Sequence, residues 1–178
     1  NLRRKESDED QKFVKDLAQE YNVNLHLKSF ETERYSKKEK LSVQMAARVL
    51  RYDWFNELLD KNNLDYILTA HHKDDDVETF FINIIRGTGI NGLSGISAKK
   101  ERIIRPLITS TRKEIELFLE EKNQKYRHDS SNESVKYLRN KIRHELIPLL
   151  KEMNPNIQQT VVNNIRNLLE ANKAINSQ

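Results

Sequence analysis

Cysteine is absent from this sequence. That excludes a disulfide framework, cysteine-ligated zinc and thiol catalysis. No run of apolar residues approaches the ~18 needed to cross a membrane. No basic-then-apolar signal segment opens the chain. A cytoplasmic protein without a membrane partner is therefore the expectation. Proline occurs only three times and glycine only four. All four glycines fall between Gly87 and Gly95.

What is present is charge. Charged residues make up 33% of the 178 residues and hydrophobic residues 37%. That suffices for one domain, or one plus an appendage. The formal net charge of +4 is unevenly placed, with −2 over residues 1–98 and +6 over 99–178. A basic second half suits a polyanionic partner, and it equally suits a solvated helical surface.

Periodicity predicts the elements. Ser7 and Asp10 start a helix through Phe13, Val14, Leu17, Ala18 and Tyr21. Val23, Leu25 and Leu27 alternate as in a strand. Residues 31–40 are charged, have no period and read as a loop. Ser42 caps a long helix that ends at Asn62-Asn63. Met45, Val49, Tyr52, Phe55, Leu58 and Leu59 form its apolar stripe. Tyr66-Ile67-Leu68 reads as a short buried parallel strand. A helix over 74–86 follows, turning Val77, Phe80, Phe81, Ile84 and Ile85 inward. A glycine-rich turn covers 87–95. Thr111 to Glu114 has capping-box spacing ahead of a helix to about Lys122. Residues 126–134 are polar and loop-like. Two more helices, 135–150 and 156–172, are divided near Pro148 and Pro155. Tyr21 and Tyr66 read as core. Neither a repeat nor a low-complexity segment is found.

The alternation of helix and strand over the first hundred residues predicts an α/β fold with a parallel, Rossmann-like sheet, followed by a helical segment. The expected division is 1–106 and 107–178. Two strands are too few for such a sheet, and an opening helix implies that the start of the domain is missing.

The densest chemistry lies at the end of the second strand, where open α/β sheets gather ligands. His71, His72, Asp74, Asp75, Asp76 and Glu78 fall within eight residues. If the helix runs back through them, His71, Asp75 and Glu78 share one face at i, i+4 and i+7. Such a face can hold a cation, accept a proton or bind an ammonium group. The structural alternative is an acidic first turn that complements the helix dipole. Gly87 and Gly89 let a ligand approach the backbone, and Arg86 beside them can meet a phosphate. The stretch is neither a Walker loop nor the dinucleotide fingerprint.

Ala70-His71-His72-Lys73-Asp74-Asp75, Glu78-Thr79, Arg86-Gly87-Thr88-Gly89 and Gly92-Leu93 together resemble the tRNA(Ile)-lysidine synthetases, N-type ATP pyrophosphatases that modify tRNA. The segments Leu2-Arg3 with Glu6 to Asp10, Ala47-Arg48 with Arg51-Tyr52, Asp129 with Ser131-Asn132, and Leu138 to Pro148 extend the likeness over nearly the whole chain. One departure stands out. The family's Ser-Gly-Gly-x-Asp-Ser pyrophosphate loop is not here, so the expectation is a core fragment that does not turn over alone.

The resemblance implies an adenine nucleotide alpha-hydrolase-like domain over 1–106 and a helical extension toward the tRNA-binding region over 107–178. It implies that ATP and Mg2+ adenylate the wobble cytidine of an isoleucine tRNA with a CAU anticodon. Free lysine then displaces AMP. Arg51, His71, Asp75, Glu78 and Arg143 are the implied catalytic set. Arg48, Arg86, Gly87 and Gly89 are the nucleotide contacts, and Arg139, Lys141 and Arg143 the tRNA contacts. The metal ligands are unassigned, and a homodimer is one candidate assembly. The competing readings are a thiolating relative, which the lack of cysteine opposes, an amide-forming relative, and a non-catalytic RNA-binding module, which does not need the carboxylate cluster.

Overall fold

The computed structural model describes residues 2–128 and 138–176, with side chains over 6–128 and 138–175. The likeness at Asp129, Ser131 and Asn132 lies outside them. The chain divides into two compact units, residues 1–64 and 65–178.

The first unit holds three helices, α1 (Leu2–Glu20), α2 (Thr32–Lys38) and α3 (Val43–Lys61). α1 starts at Leu2, earlier than the Ser7 cap predicts. The stretch read as a loop is α2, with Glu33 in its first turn and Lys37 and Lys38 in its last. Those charges complement the helix dipole, a local signal that does not depend on apolar periodicity. α3 begins where expected, with Ser42 Oγ accepting the Met45 N–H at 3.2 Å. Ala46 and Leu59 are its buried residues. Residues 23–30 form no strand. Val23, Leu25 and Leu27 are exposed. Alternation marks a segment able to pair, but a strand needs a neighbour's hydrogen bonds, and none among the described residues supplies them.

The second unit is built on a small mixed sheet. β1 (Ile67–Leu68) pairs in parallel with β3 (Ile103–Ile104), with Ile67 opposite Ile103 and Leu68 opposite Ile104. β2 (Lys99–Lys100) folds antiparallel onto the other side of β3, giving the order β1-β3-β2. β2 and β3 were not apparent in the sequence.

Between β1 and β2 run α4 (Lys73–Ile85) and α5 (Ile90–Leu93). The glycine-rich turn thus contains a short helix. α6 (Arg112–Glu121) carries the capping box read from the sequence. Glu114 Oε2 accepts the Thr111 N–H at 2.6 Å, and Thr111 Oγ1 accepts the Glu114 N–H at 3.2 Å. The last elements are α7 (Leu138–Lys141), a π-helical turn (Ile142–Leu146), α8 (Ile147–Met153) and α9 (Ile157–Asn176).

Pro148 does not divide these helices. It sits in the first turn of α8. A proline ring crowds the carbonyl four residues back, and the π turn just ahead of it widens the helix there. The Ile147 N–H accordingly reaches back five residues to the Ile142 carbonyl.

The core of this unit is helical. Val77 and Phe80 of α4 pack with Ile142, Ile147, Val161 and Ile165. Ile84 and Ile85 are exposed, as are Tyr21 and Tyr66, contrary to the sequence reading. The α4 face buried against α7, the π turn and α9 is the Val77–Phe80 face, so the stripe stops a turn short of the helix end. Gly95 lies beside this core at φ +71, where an added Cβ would fall 2.5 Å from Asp76 Oδ1 and 2.6 Å from Ile165 Cγ2.

Candidate active site at the end of β1

β1 delivers Thr69 to His72 to the start of α4. His72 is the N-cap, with extended backbone at φ −124 and ψ 176. The helix therefore does not run back through the histidines, and His71 does not share its face. His71 Nδ1 instead lies 2.9 Å from Thr69 Oγ1. Asp75 and Glu78 remain neighbours at i and i+3.

The four carboxylates have different environments. Asp74 ties three elements together. Its Oδ2 accepts the Arg112 backbone N–H at 2.7 Å and its Oδ1 accepts Gln158 Nε2 at 2.8 Å. Burial alone would raise its pKa, but hydrogen bonds from His72, Arg112 and Gln158 outweigh that and hold it far below the usual carboxylate range. Asp76 Oδ1 accepts the Ile96 N–H at 2.6 Å. Burial pushes this carboxyl up, despite that bond.

Glu78 is fully buried, at 1% exposure. Arg143 clamps it with both arms, Nε to Oε1 at 2.6 Å and Nη2 to Oε2 at 3.1 Å. Arg139 adds Nε at 3.6 Å from Oε2 and donates from Nη2 to Thr79 Oγ1 at 3.0 Å. Such a two-pronged pair is the strongest form of arginine–carboxylate contact.

Asp75 is the remaining one. Its Oδ2 accepts the His72 backbone N–H at 3.0 Å, and its Oδ1 lies 3.9 Å from Arg143 Nη2. His72 sits over this pair of aspartates, with Nδ1 3.5 Å from Asp74 and Nε2 3.5 Å from Asp75. Its pKa is raised, first by the Asp74 carboxylate and further by the charges of Asp75 and Glu78, against the opposing effect of burial. Arg143 is likewise held charged, above all by Glu78.

Two cavities meet at His72, Arg112 and Arg143. The smaller, about 170 Å³, has Asp74, Glu78, Lys151 and Gln158 in its wall. The larger, about 330 Å³, has Asp75 and Glu116 with an apolar wall that includes Leu107, Leu119 and Tyr126. Among the described residues, no group of three or more His, Asp or Glu side chains is placed to hold a metal ion.

The structure gathers His71, Asp75, Glu78, Arg139 and Arg143 around the start of α4. Arg139 and Arg143 face α4, while Lys141 is exposed. Arg86, Gly87 and Gly89 are exposed beyond the opposite end of α4, which at 13 residues is about 20 Å long. Gly87, at φ +69, closes the helix end. Arg48 and Arg51 belong to α3 of the first unit, where both are exposed and Arg48 lies over the Tyr52 ring at 4.7 Å.

Sequence reasoning missed Asp74 as a junction, and missed Arg112 and Gln158 altogether. Arg112 had a signal, since it follows a strong N-cap and its N–H needs a partner there. Gln158 had none.

Residues 1–150 match the family model described as a PP-loop domain. The chain belongs to the PP-loop family. Among relatives of this PP-loop chain, tRNA(Ile)-lysidine synthase of Porphyromonas gingivalis is 46% identical over 94% of the chain and 37% of the relative. The enzymes of that name from Bacteroides thetaiotaomicron and Thermosipho africanus are each 43% identical, over 91% and 94% of the chain. The chain thus spans a little over a third of the length of these relatives, 37% to 39%. A solved structure, the U34-tRNA thiolase NcsA of Methanococcus maripaludis with its [4Fe-4S] cluster, superposes with a TM-score of 0.66 at 20% identity, covering 88% of this chain and 55% of that one. The fold is thus the Rossmann-like α/β nucleotide-hydrolase type expected from the sequence. Among the described residues no helix is long and apolar enough to cross a membrane.

Proposed function

We propose that this PP-loop chain is the catalytic-core part of a tRNA(Ile)-lysidine synthase, and so of a carbon–nitrogen ligase acting in the cytoplasm. In this reading residues 1–106 belong to the ATP-pyrophosphatase domain and 107–178 extend toward the tRNA. ATP adenylates the wobble cytidine of isoleucine tRNA on its C2 oxygen and pyrophosphate leaves. The amine of free lysine then bonds to C2, the C2–O bond breaks and AMP departs with that oxygen.

The observation that carries the reading is Asp75. All four carboxylates are held by hydrogen bonds or by arginine, and Asp74 and Glu78 line the smaller cavity. Asp75 opens onto the larger cavity at the end of β1. A carboxylate there binds an ammonium group, then accepts the proton that the amine must lose before it attacks. His71 is the second candidate for that proton. Arg143 supplies positive charge where the departing phosphate develops negative charge, and Arg48 and Arg51 are proposed to act on the nucleotide likewise. Arg86, Gly87 and Gly89 are proposed as further nucleotide contacts. Magnesium is proposed to travel with the ATP phosphates, and no step above depends on it. The resemblance to named lysidine synthases at 43–46% identity supports the same substrate pair. A homodimer is left as a candidate assembly.

The test is ATP–pyrophosphate exchange by the full-length protein with an unmodified isoleucine tRNA transcript, followed by labelled lysine. Lysine incorporation with AMP release is expected. Adenylation without lysine transfer would move the protein to the thiolating or amidating relatives. Absence of any ATP chemistry would leave an RNA-binding module. Asp75→Asn is expected to cut lysine transfer by at least about a hundredfold while leaving circular dichroism unchanged. Normal transfer by that variant would remove Asp75 from the chemistry.

A further inference from the structure

One helical path runs from Leu138 to Met153, through α7, the π turn and α8. Its backbone stays helical at both ends of the π turn, with φ −60 and ψ −44 at Lys141 and φ −62 and ψ −43 at Ile147. Pro148 therefore stands inside a helix and not at the start of a free one. That placement is unfavourable by itself, because proline has no N–H to give to the ladder and its ring crowds the carbonyl of His144.

The path works on two faces. Arg139 and Arg143, four residues apart, reach Thr79 and Glu78 of α4. Ile142 and Ile147, five residues apart, are 2% and 6% exposed and pack in one core with Val161 and Ile165 of α9. In an unbroken α-helix, residues five apart point about 140° away from each other. Leu146 would then take the place of Ile147 beside Ile142. The π turn resolves that mismatch. Its bond from the Ile147 N–H to the Ile142 carbonyl spans five residues and brings both side chains to the core. The segment holds one residue more than an α-helical turn needs, and the extra residue falls between Arg143 and Ile147.

We propose that Pro148 is a positioning residue for Arg143. By denying the His144 carbonyl an α-helical donor, it keeps the segment in the five-residue register, and that register holds the Arg143 guanidinium on Glu78 while Ile147 stays in the core. The inference rests on the proposed function, in which Arg143 meets the charge of the departing phosphate. Pro148 is itself exposed and stands in the wall of neither cavity, so it acts only through the turn. The two ends of the path cannot both yield to a change of register. Ile147 is fixed by its packing with α9. A slip into the four-residue register therefore turns α7 and carries Arg143 off Glu78. Arg143 lines both cavities at the end of β1, so even a small rotation moves its charge relative to each. Helix propensity favours that slip. Alanine at 148 would restore a ladder bond and with it the α-helical register.

The test uses the full-length protein with an isoleucine tRNA transcript and measures labelled-lysine incorporation beside thermal melting. Pro148→Ala is expected to lower kcat by about ten- to a hundredfold, the effect of displacing a catalytic charge by about 1 Å or less. KM for ATP and for tRNA should stay within about twofold, since the charge is needed only as the phosphate departs. The melting temperature should hold or rise, because alanine restores a ladder hydrogen bond. Deleting the exposed Glu145 in the Pro148→Ala protein makes Ile147 the fourth residue after Ile142. One α-helical turn then serves both faces, and kcat is expected to recover most of its value.

A kcat loss matched by a lower melting temperature overturns the inference, because the proline would then be holding the fold. A kcat loss that deletion of Glu145 leaves in place also overturns it, whether through lost activity or lost folding, since register would not be the cause. Failure of the unaltered protein to incorporate lysine at all overturns the proposed function, and the inference with it. Incorporation by the unaltered protein with the same kcat in Pro148→Ala overturns the inference alone, and Pro148 is then a tolerated first-turn residue of α8.

Discussion

At the scale of single residues, the four acidic groups of α4 show why charge density is a poor guide to role. Asp74, Asp75, Asp76 and Glu78 are chemically alike, yet Asp74 ties helices together, burial pushes the Asp76 carboxyl up, Glu78 is locked in an ion pair and Asp75 lines the larger cavity. The Glu78–Arg143 pair is the costliest of these to disturb. Removing one partner leaves a buried charge with only the longer contacts from Arg139 or Asp75, which costs up to about 3–5 kcal/mol. Arg143→Met is therefore expected to lower stability by that amount, and Glu78→Gln by somewhat less, since the amide still accepts a hydrogen bond. The double variant should recover most of the loss. Urea unfolding of all four proteins checks this. Additive losses in the double variant would show that the two side chains do not act as a pair.

At the scale of elements, the junction of α4, α6 and α9 is held by polar contacts as much as by apolar packing. Its pH dependence follows from two opposite shifts. Asp74 is depressed, so its contribution is present above the ordinary carboxylate pKa and is lost as pH falls through the lower, folded value. His72 is raised, so its contribution is full below its ordinary pKa of 6.5 and is lost as pH rises through the higher, folded value. Thermal stability is expected to decline as pH rises past the ordinary histidine value of 6.5, and His72→Asn should flatten that decline. An unchanged slope in the variant would assign the decline to other groups. The glycine-rich segment gives a second test. Gly95→Ala puts a methyl group into Asp76 and Ile165 at a left-handed φ, and is expected to cost at least about 2 kcal/mol. Gly89→Ala meets nothing within 4 Å at an ordinary φ and should change stability by less than about 0.5 kcal/mol. Equal melting temperatures for the two variants would contradict this account.

At the scale of the whole molecule, the positive excess lies in residues 99–178. Two of the three cations expected to meet tRNA, Arg139 and Arg143, are turned onto Glu78 and Thr79. Lys141 is exposed. In the proposed enzyme, Lys141→Ala is expected to weaken tRNA binding at low salt and to reduce the salt-dependence slope by about one. Filter binding over a range of salt concentrations measures both. An unaltered slope would place the phosphate contacts elsewhere.

What was legible in the sequence was local. Ser42 and Thr111 announce helix starts because a cap and its partner lie within one turn. The histidine–carboxylate cluster announces a strand-end site because every member falls within eight residues. β2, β3, the π turn and α2 lay below or outside apolar periodicity. The partners within the cluster were out of reach for a different reason. Arg143 is 65 residues from Glu78, and Gln158 is 84 from Asp74. By itself, then, the sequence determined the PP-loop membership, the place of the acidic cluster and the starts of α3 and α6, since each depends on neighbours along the chain. Only the tertiary structure decided which carboxylate is clamped, which has its pKa raised by burial and which lines the larger cavity. A charge is assigned by the groups that surround it after packing, and those groups come from distant helices.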